Sequence, residues 1–451
     1  MKKGLLFCAL ALLLVVALPA FAEVQNVKVS GDISTYFAYR TNFDLKSDST
    51  HDDDQDWFNS VTRVKVDADL TDNVSTIVRL LNERDWDQET TGITSTGDTG
   101  VSIDLASVTL KEFLYSPLSL TIGRQTLRYG NGLVVGDPDT NSNSTATGLA
   151  AREFSARKSF DAVRAVMDFD PITIDSFWAK LNETLSTNRD IDLFGVDLAY
   201  AVGSYNANLG LYMVGYLDFG ALETPVAALT PQQGGTYLGE HIYTLGFRGN
   251  VEPTENLVLG TEVAFQTGDY TGPRSQKAMA FQANGKYTFN TSFKPSLKLQ
   301  YAYFSGEELA NLGDQEGWIP VTEDQTWGVI ADRMNLSTIS GGTAQNSNTN
   351  MYIVDLGGSM VPLKDLTVSA DWYYFTLAEE NDSSPAAGAG SSFVYTDNTA
   401  YGNEFDVTAA YDYTEDVSFN TSIGVFSPGD AWESDARDSA IQVMGGVKVA
   451  F

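Results

Sequence analysis

Cysteine is nearly absent from this chain: Cys8 is the only one in 451 residues. It lies within an apolar N-terminal run, Leu5 to Leu18, so the rest of the chain has no thiol for a disulfide, a thiolate metal site or a cysteine nucleophile. Histidine is almost as scarce. Only His51 and His241 occur, and no Gly-x-Ser-x-Gly motif accompanies them, so the paired base and nucleophile of a hydrolase are not expected and no enzyme activity is predicted. After residue 22 no apolar run approaches the ~18 to 20 residues of a transmembrane helix. Positive charge is also in short supply, with 28 lysines and arginines against 59 acidic residues and a net charge of −31. That imbalance excludes nucleic acid as a partner, because phosphate contacts need a positive surface.

What is present begins with a leader. Met1-Lys2-Lys3 is basic, the apolar run follows, and Ala20-Phe21-Ala22 supplies small residues at the spacing that a signal peptidase cuts. Residues 1–22 are therefore expected to be removed, leaving one domain over residues 23–451. Aromatic residues make up 12% of the chain and charged residues only 19%. A disordered acidic protein has the opposite balance.

The apolar residues alternate with polar ones instead of clustering. Val27, Val29, Ile33 and Phe37 share one parity, with Lys28, Ser30, Asp32 and Ser34 on the other. Val64-Val66-Ala68-Leu70 against Arg63-Lys65-Asp67-Asp69 repeats the pattern, as does Phe405-Val407-Ala409-Tyr411 against Glu404-Asp406-Thr408-Asp412. A period of two places these sets on opposite faces of a strand. Many such segments run to ~10–14 residues, longer than ordinary strands but long enough to cross a bilayer at a tilt. Short turns, such as Thr71-Asp72-Asn73, Asp170-Pro171 and Thr414-Glu415-Asp416, alternate with longer polar stretches. Eight short turns and nine long connections predict an all-β, antiparallel, up-and-down transmembrane barrel of about 18 strands. Both termini would lie in the periplasm of a Gram-negative-type bacterium and the barrel in the cell outer membrane.

The last segment, Ile441 to Phe451, is amphipathic and ends in Phe. Such an ending resembles the signal read by the outer-membrane barrel-assembly machinery, which is expected as a partner alongside membrane lipid and lipopolysaccharide. Phe169, Tyr200, Tyr205, Tyr287, Phe289 and Phe293 flank short turns, where an interfacial girdle is expected.

Nine of the fourteen arginines fall between Arg40 and Arg164. Strand parity puts Arg63, Lys65 and Arg79 on the lumen side. A bulge at Gly123 would turn Arg124 and Arg128 inward and Leu127 and Tyr129 toward lipid, and Arg164 lies opposite Val163 and Ala165. These six residues are the candidate pore lining. Two readings stand side by side: they guide anions or acidic sugars, or they pair with inward carboxylates such as Asp67, Asp69, Glu83 and Asp161 and stiffen the wall. Asp52, Asp53, Asp54 and Asp56 crowd one loop, where they are either solvated or hold Ca²⁺; no other cofactor is expected. The long stretches Gly130–Ala156 and Gly306–Thr349 are candidates for folding over or into the pore.

The stretch Gly123-Arg124-Gln125-Thr126-Leu127-Arg128-Tyr129-Gly130, then Gly136 and Ser159-Phe160-Asp161-Ala162-Val163-Arg164, resembles the alginate-export family of outer-membrane barrels. Leu80-Leu81-Asn82-Glu83-Arg84-Asp85-Trp86 fits the same pattern. The resemblance implies an 18-stranded barrel with an arginine-containing constriction, to which Arg124, Arg128 and Arg164 would belong. The expectation is a passive channel for small hydrophilic or acidic, sugar-type solutes, its pore formed by the wall itself. The alternative is a plugged structural or adhesive barrel.

Overall fold

Alternation along the chain becomes a single closed wall. The computed structural model describes residues 26–43, 45, 54–86, 100–138, 155–183, 190–203, 205–218, 241–270, 274–307, 314–332, 348–380, 398–432 and 437–451. Residues 1–22, expected to form the leader, and His51, Asp52 and Asp53 lie outside them. The strands are β1 (Asn26–Thr41), β2 (Gln55–Thr71), β3 (Val74–Asp85), β4 (Ser102–Leu110), β5 (Leu118–Thr126) and β6 (Ser159–Asp168). They continue with β7 (Ile172–Asn182), β8 (Ile191–Val202), β9 (Ala207–Asp218), β10 (His241–Thr254), β11 (Leu257–Asp269), β12 (Ser275–Thr288) and β13 (Ser296–Phe304). After a two-residue strand β14 (Asp314–Gln315) come β15 (Met351–Leu363), β16 (Leu366–Leu377), β17 (Ala400–Asp412), β18 (Val417–Pro428) and β19 (Ala440–Ala450).

The eighteen long strands pair antiparallel with their sequence neighbours, and β1 pairs with both β2 and β19. Closure removes the free edges that an open sheet would expose to lipid. The strand count and the alternation of short and long connections agree with the sequence expectation. β1 begins and β19 ends at the rim that carries the short turns. There the Gly31 and Phe451 backbones exchange hydrogen bonds of 2.8 and 3.0 Å.

Register divides the side chains cleanly. Val64, Val66, Val78, Leu80, Val163 and Trp178 point outward and are exposed, as an apolar band facing lipid requires. Phe169, Tyr200, Tyr205, Tyr287, Phe289 and Phe293 are all exposed beside short turns, which gives the wall its aromatic girdle. No helix among the described residues is long and apolar enough to cross a membrane.

The wall needs glycine where rings lie flat on it. The Tyr212 ring occupies the space that a Cβ at Gly246 would fill, and the Phe177 ring covers Gly195 in the same way. In each pair the large inward side chain packs onto a bare stretch of the neighbouring strand.

The lumen is not empty. Residues 127–138, which follow β5, and residues 314–332, between β13 and β15, turn inside the barrel instead of continuing above it. Leu133, Val134, Val135, Trp318, Val321 and Ile330 are buried there, packed against inward wall residues such as Phe177, Val214 and Phe304. The expectation that these long stretches enter the pore is met over their described parts. The expectation of an interior bounded by the wall alone is therefore corrected: two internal segments occupy part of it.

Candidate functional site

The two internal segments meet each other. Val135 and Thr322 form a parallel bridge, and the Thr322 hydroxyl donates to the Val134 carbonyl at 2.7 Å. Asp324 N–H donates to the Gly132 carbonyl at 2.8 Å. Gly132, at φ +77°, lies so close to Arg128 and to the Asp324 carbonyl that a side chain there would collide with them. An ionic clasp closes the junction. Arg128 pairs with the Asp324 carboxylate, and Lys158 pairs with Asp137 and, at 3.2 Å, with Asp324. Burial works against the Lys158 charge, but Asp137 and then Asp324 outweigh it and hold the ammonium above its ordinary pKa.

Each segment is also fastened to the wall. Gln266 Nε2 donates to the Ile319 carbonyl at 2.7 Å, while its Oε1 accepts from Ile319 N–H at 3.0 Å. Gln276 Nε2 reaches the Gly317 carbonyl at 2.9 Å. Behind residue 130, Arg248 of β10 pairs with Asp197 at 2.7 Å and lies over the Tyr212 ring. The Tyr212 hydroxyl in turn donates to Glu262 at 2.7 Å. Within the second segment Glu323 is fully buried and accepts from Asn348 N–H at 2.8 Å. Burial pushes its pKa well above the usual carboxylate value, against the pull of the Asn348 hydrogen bonds.

Of the six basic residues singled out in the sequence, five face the interior. Arg63 grips Asp32 across the strand pair with three hydrogen bonds of 2.9 to 3.1 Å. Lys65 pairs with Asp67 at 2.9 Å, and Arg79 with the fully buried Asp104 at 2.5 Å. Arg164 holds Asp175 through Nε and Nη2, the latter at 2.6 Å. Arg128 belongs to the clasp. Arg124 is the exception. Gly123 has φ +118°, yet the ladder runs through it without a register shift. Arg124 therefore stays on the outward parity of Ile122 and Val163 and binds Asp161 at 2.5 Å on that face. Leu127 and Tyr129 are corrected with it. The chain leaves the wall after Thr126, so Leu127 is buried inside and the Tyr129 ring stacks on Phe177.

All six basic groups thus have a carboxylate partner, and two of those partners, Asp67 and Asp161, are among the carboxylates that strand parity offered. Sequence reasoning missed Arg248 and also Lys298, which bridges Asp355 and Asp371 at 2.7 Å each. Both sit on the inward parity of their strands, a signal that the search for an arginine arc in the first half passed over. In the acidic loop, Asp54 accepts weakly from the Tyr39 hydroxyl at 3.5 Å, and Asp56 sits opposite Tyr39 in the ladder. Among the described residues no group of three or more His, Cys, Asp or Glu is placed to hold a metal ion.

Comparison with known proteins follows the same lines. The chain resembles OccK2 (OpdF) of Pseudomonas aeruginosa, solved in complex with glucuronate, at 12% identity and a TM-score of 0.53, covering 95% of this chain and 99% of that one. OccAB3 of Acinetobacter baumannii gives 9% identity and a TM-score of 0.54, covering 95% and 100%. The outer-membrane protein OpdK of Pseudomonas aeruginosa gives 10% and 0.54, covering 95% and 99%. These likenesses establish the porin-type barrel fold. No curated protein matches the chain. The family described as alginate export matches residues 26–445; with the barrel that encloses them, this chain belongs to the alginate-export family of outer-membrane β-barrels.

Proposed function

We propose that this barrel is a constricted channel for small hydrophilic solutes, with its narrowest part built by the two internal segments. The observation that carries this reading is the Arg128–Asp324 clasp, which joins them inside a wall wide enough for an aqueous passage. Short turns would lie in the periplasm and long connections outside, after removal of the leader near Ala22 and assembly through the strand ending in Phe451.

Selectivity follows from pairing more than from bare charge. Arg63, Arg79, Arg128 and Arg164 are each neutralised by a neighbouring carboxylate, so at these positions a free anion meets no uncompensated cation. A solute that carries its own carboxylate, such as a uronic acid, competes by exchanging with Asp32, Asp104 or Asp175 for the guanidinium. Arg164, the more exposed of the wall arginines, is the most open to such exchange.

Single-channel recording in a planar bilayer under a salt gradient tests both parts. A stable open conductance is expected, blocked transiently by glucuronate. Arg63→Ala/Arg79→Ala/Arg164→Ala should weaken that block at least tenfold, while the outward Arg124→Ala leaves it unchanged. Block that persists in the triple variant removes the arginines from selectivity and leaves the channel. The depth at which Trp318 and Ile330 are packed favours a second reading, a plugged barrel. Absence of conductance would select it.

A further inference from the structure

Glu404 and Asp406 stand two residues apart on the inner face of β17, outside the arginine arc. Both are almost fully buried. Neither uses a lysine or arginine to balance its charge in the hydrogen bonds it makes to the second internal segment. Glu404 Oε1 accepts the N–H groups of Val329 and Ile330 at 2.6 and 2.7 Å, and its Oε2 accepts that of Ala331 at 2.7 Å. Asp406 Oδ2 accepts Val329 N–H as well, at 3.1 Å. The opposite pole of the same turn is held too. Gln442 Nε2 of β19 donates to the Val329 carbonyl at 3.1 Å, and Arg40 Nε of β1 fixes the Gln442 oxygen at 2.7 Å.

The space around the turn is cut to fit. Gly328, at φ +80°, is so close to the Glu404 carboxylate that a Cβ would come within 2.6 to 2.8 Å of its atoms. Gly424 on β18 leaves the room that the Val329 and Ile330 side chains fill. Ile330 and Ala331 are fully buried in that pocket. Three converging N–H donors, one anchored carbonyl and two glycines form a socket for one turn of chain.

From this we infer that residues 328–331 are a latch, seated on β17–β19 by Glu404, and that its seating sets the width of the passage. The inference rests on the channel reading above. Glu404 and Asp406 are positioning residues: they act through the segment and do not touch the solute. Charge-assisted hydrogen bonds to backbone N–H groups are about twice as strong as neutral ones, and their loss would leave both the carboxylate and three N–H groups buried without partners. Release of the latch would swing the second segment off the wall and pull on the Arg128–Asp324 clasp.

The test compares wild type with Glu404→Gln, Gly424→Val and Gly424→Val/Val329→Gly, each first shown to be folded by heat-modifiable migration. Glu404→Gln puts an amide NH₂ against a backbone N–H. Gly424→Val keeps both carboxylates but crowds Val329, Asp406 Oδ1 and Ile330 in the socket, and Val329→Gly gives back the closest of these three contacts. Two readouts are taken from each protein: amide hydrogen exchange over residues 327–332, and single-channel conductance in KCl. In both single variants exchange should rise at least tenfold and conductance should grow and become noisier; the double variant should return toward wild type. Unchanged exchange in folded single variants would overturn the latch. Faster exchange with unchanged conductance would overturn its control of the passage. A wild type that conducts nothing would refute the channel reading, while the exchange measurement would still judge the latch.

Discussion

At Asp324 one carboxylate serves two cations, Arg128 and Lys158, so its removal leaves Arg128 without its carboxylate and Lys158 with Asp137 alone. Asp324→Ala should therefore shift the reversal potential toward anions, and loss of the pair should weaken the junction by about 1 to 3 kcal/mol. Reversal potentials under a KCl gradient check the first effect, and hydrogen exchange at residues 132–136 the second. Glu323 is the pH-sensitive member of the same segment. Its folded pKa is raised above the unfolded value by burial, so the stability it lends is complete in acid and is lost as pH climbs through the raised value. The segment should loosen with rising pH in wild type, seen as channel noise. Glu323→Gln should flatten that dependence. At Gly246 the Tyr212 ring fills the space of a Cβ, so Gly246→Val should cost about 1 to 3 kcal/mol through overpacking, read as a lower midpoint of thermal unfolding. The parity of Arg63 and Arg79 was legible because a strand has period two. That of Arg124 was not, because a glycine at positive φ looks in sequence like a bulge, whereas here the ladder absorbs it.

Among the elements, the wall and the internal segments differ in what holds them. The long strands are held by one another, and residues 314–332 add to the wall ladder only the two-residue pairing of β14 with Ser275 and Gln276 of β12, so removal of residues 314–332 should leave the barrel intact. Conductance should rise severalfold while heat-modifiable migration is retained; loss of the folded band would show instead that the segment is part of the wall's stability. The strands were readable from local alternation, since each needs only its own residues to declare two faces. The internal segments were readable only as long connections. Arg128 and Asp324 lie 196 residues apart, and no local pattern joins them. One signal was available: Trp318, Ile319, Val321, Trp327 and Ile330 are too apolar for a solvated loop. The polar face of β17 was also legible, including Glu404 and Asp406, but not the turn they hold.

For the molecule as a whole, charge is distributed by place. The lumen arginines named above are cancelled by neighbours, whereas the excess of acid falls mostly in the long connections, as in Asp52 to Asp56 and Glu379 to Asp382. Solvated charge acts over about 10 Å at 0.1 M salt and about 3 Å at 1 M. The channel should accordingly favour cations at low salt and lose that preference as salt rises. A preference independent of salt would place the selecting charge inside the lumen.

Closure of the wall has one more consequence. The β1–β19 pair is hydrogen-bonded as continuously as any hairpin in the barrel, from Asp32 with Ala450 to Thr41 with Ile441, and differs only in lacking a covalent link. Where a protein of this architecture begins is thus a matter of covalent history more than of structure. A circularly permuted chain, its old ends joined by a short linker at the short-turn rim and its new ends opened in a long connection, would retain every ladder bond and close into the same barrel.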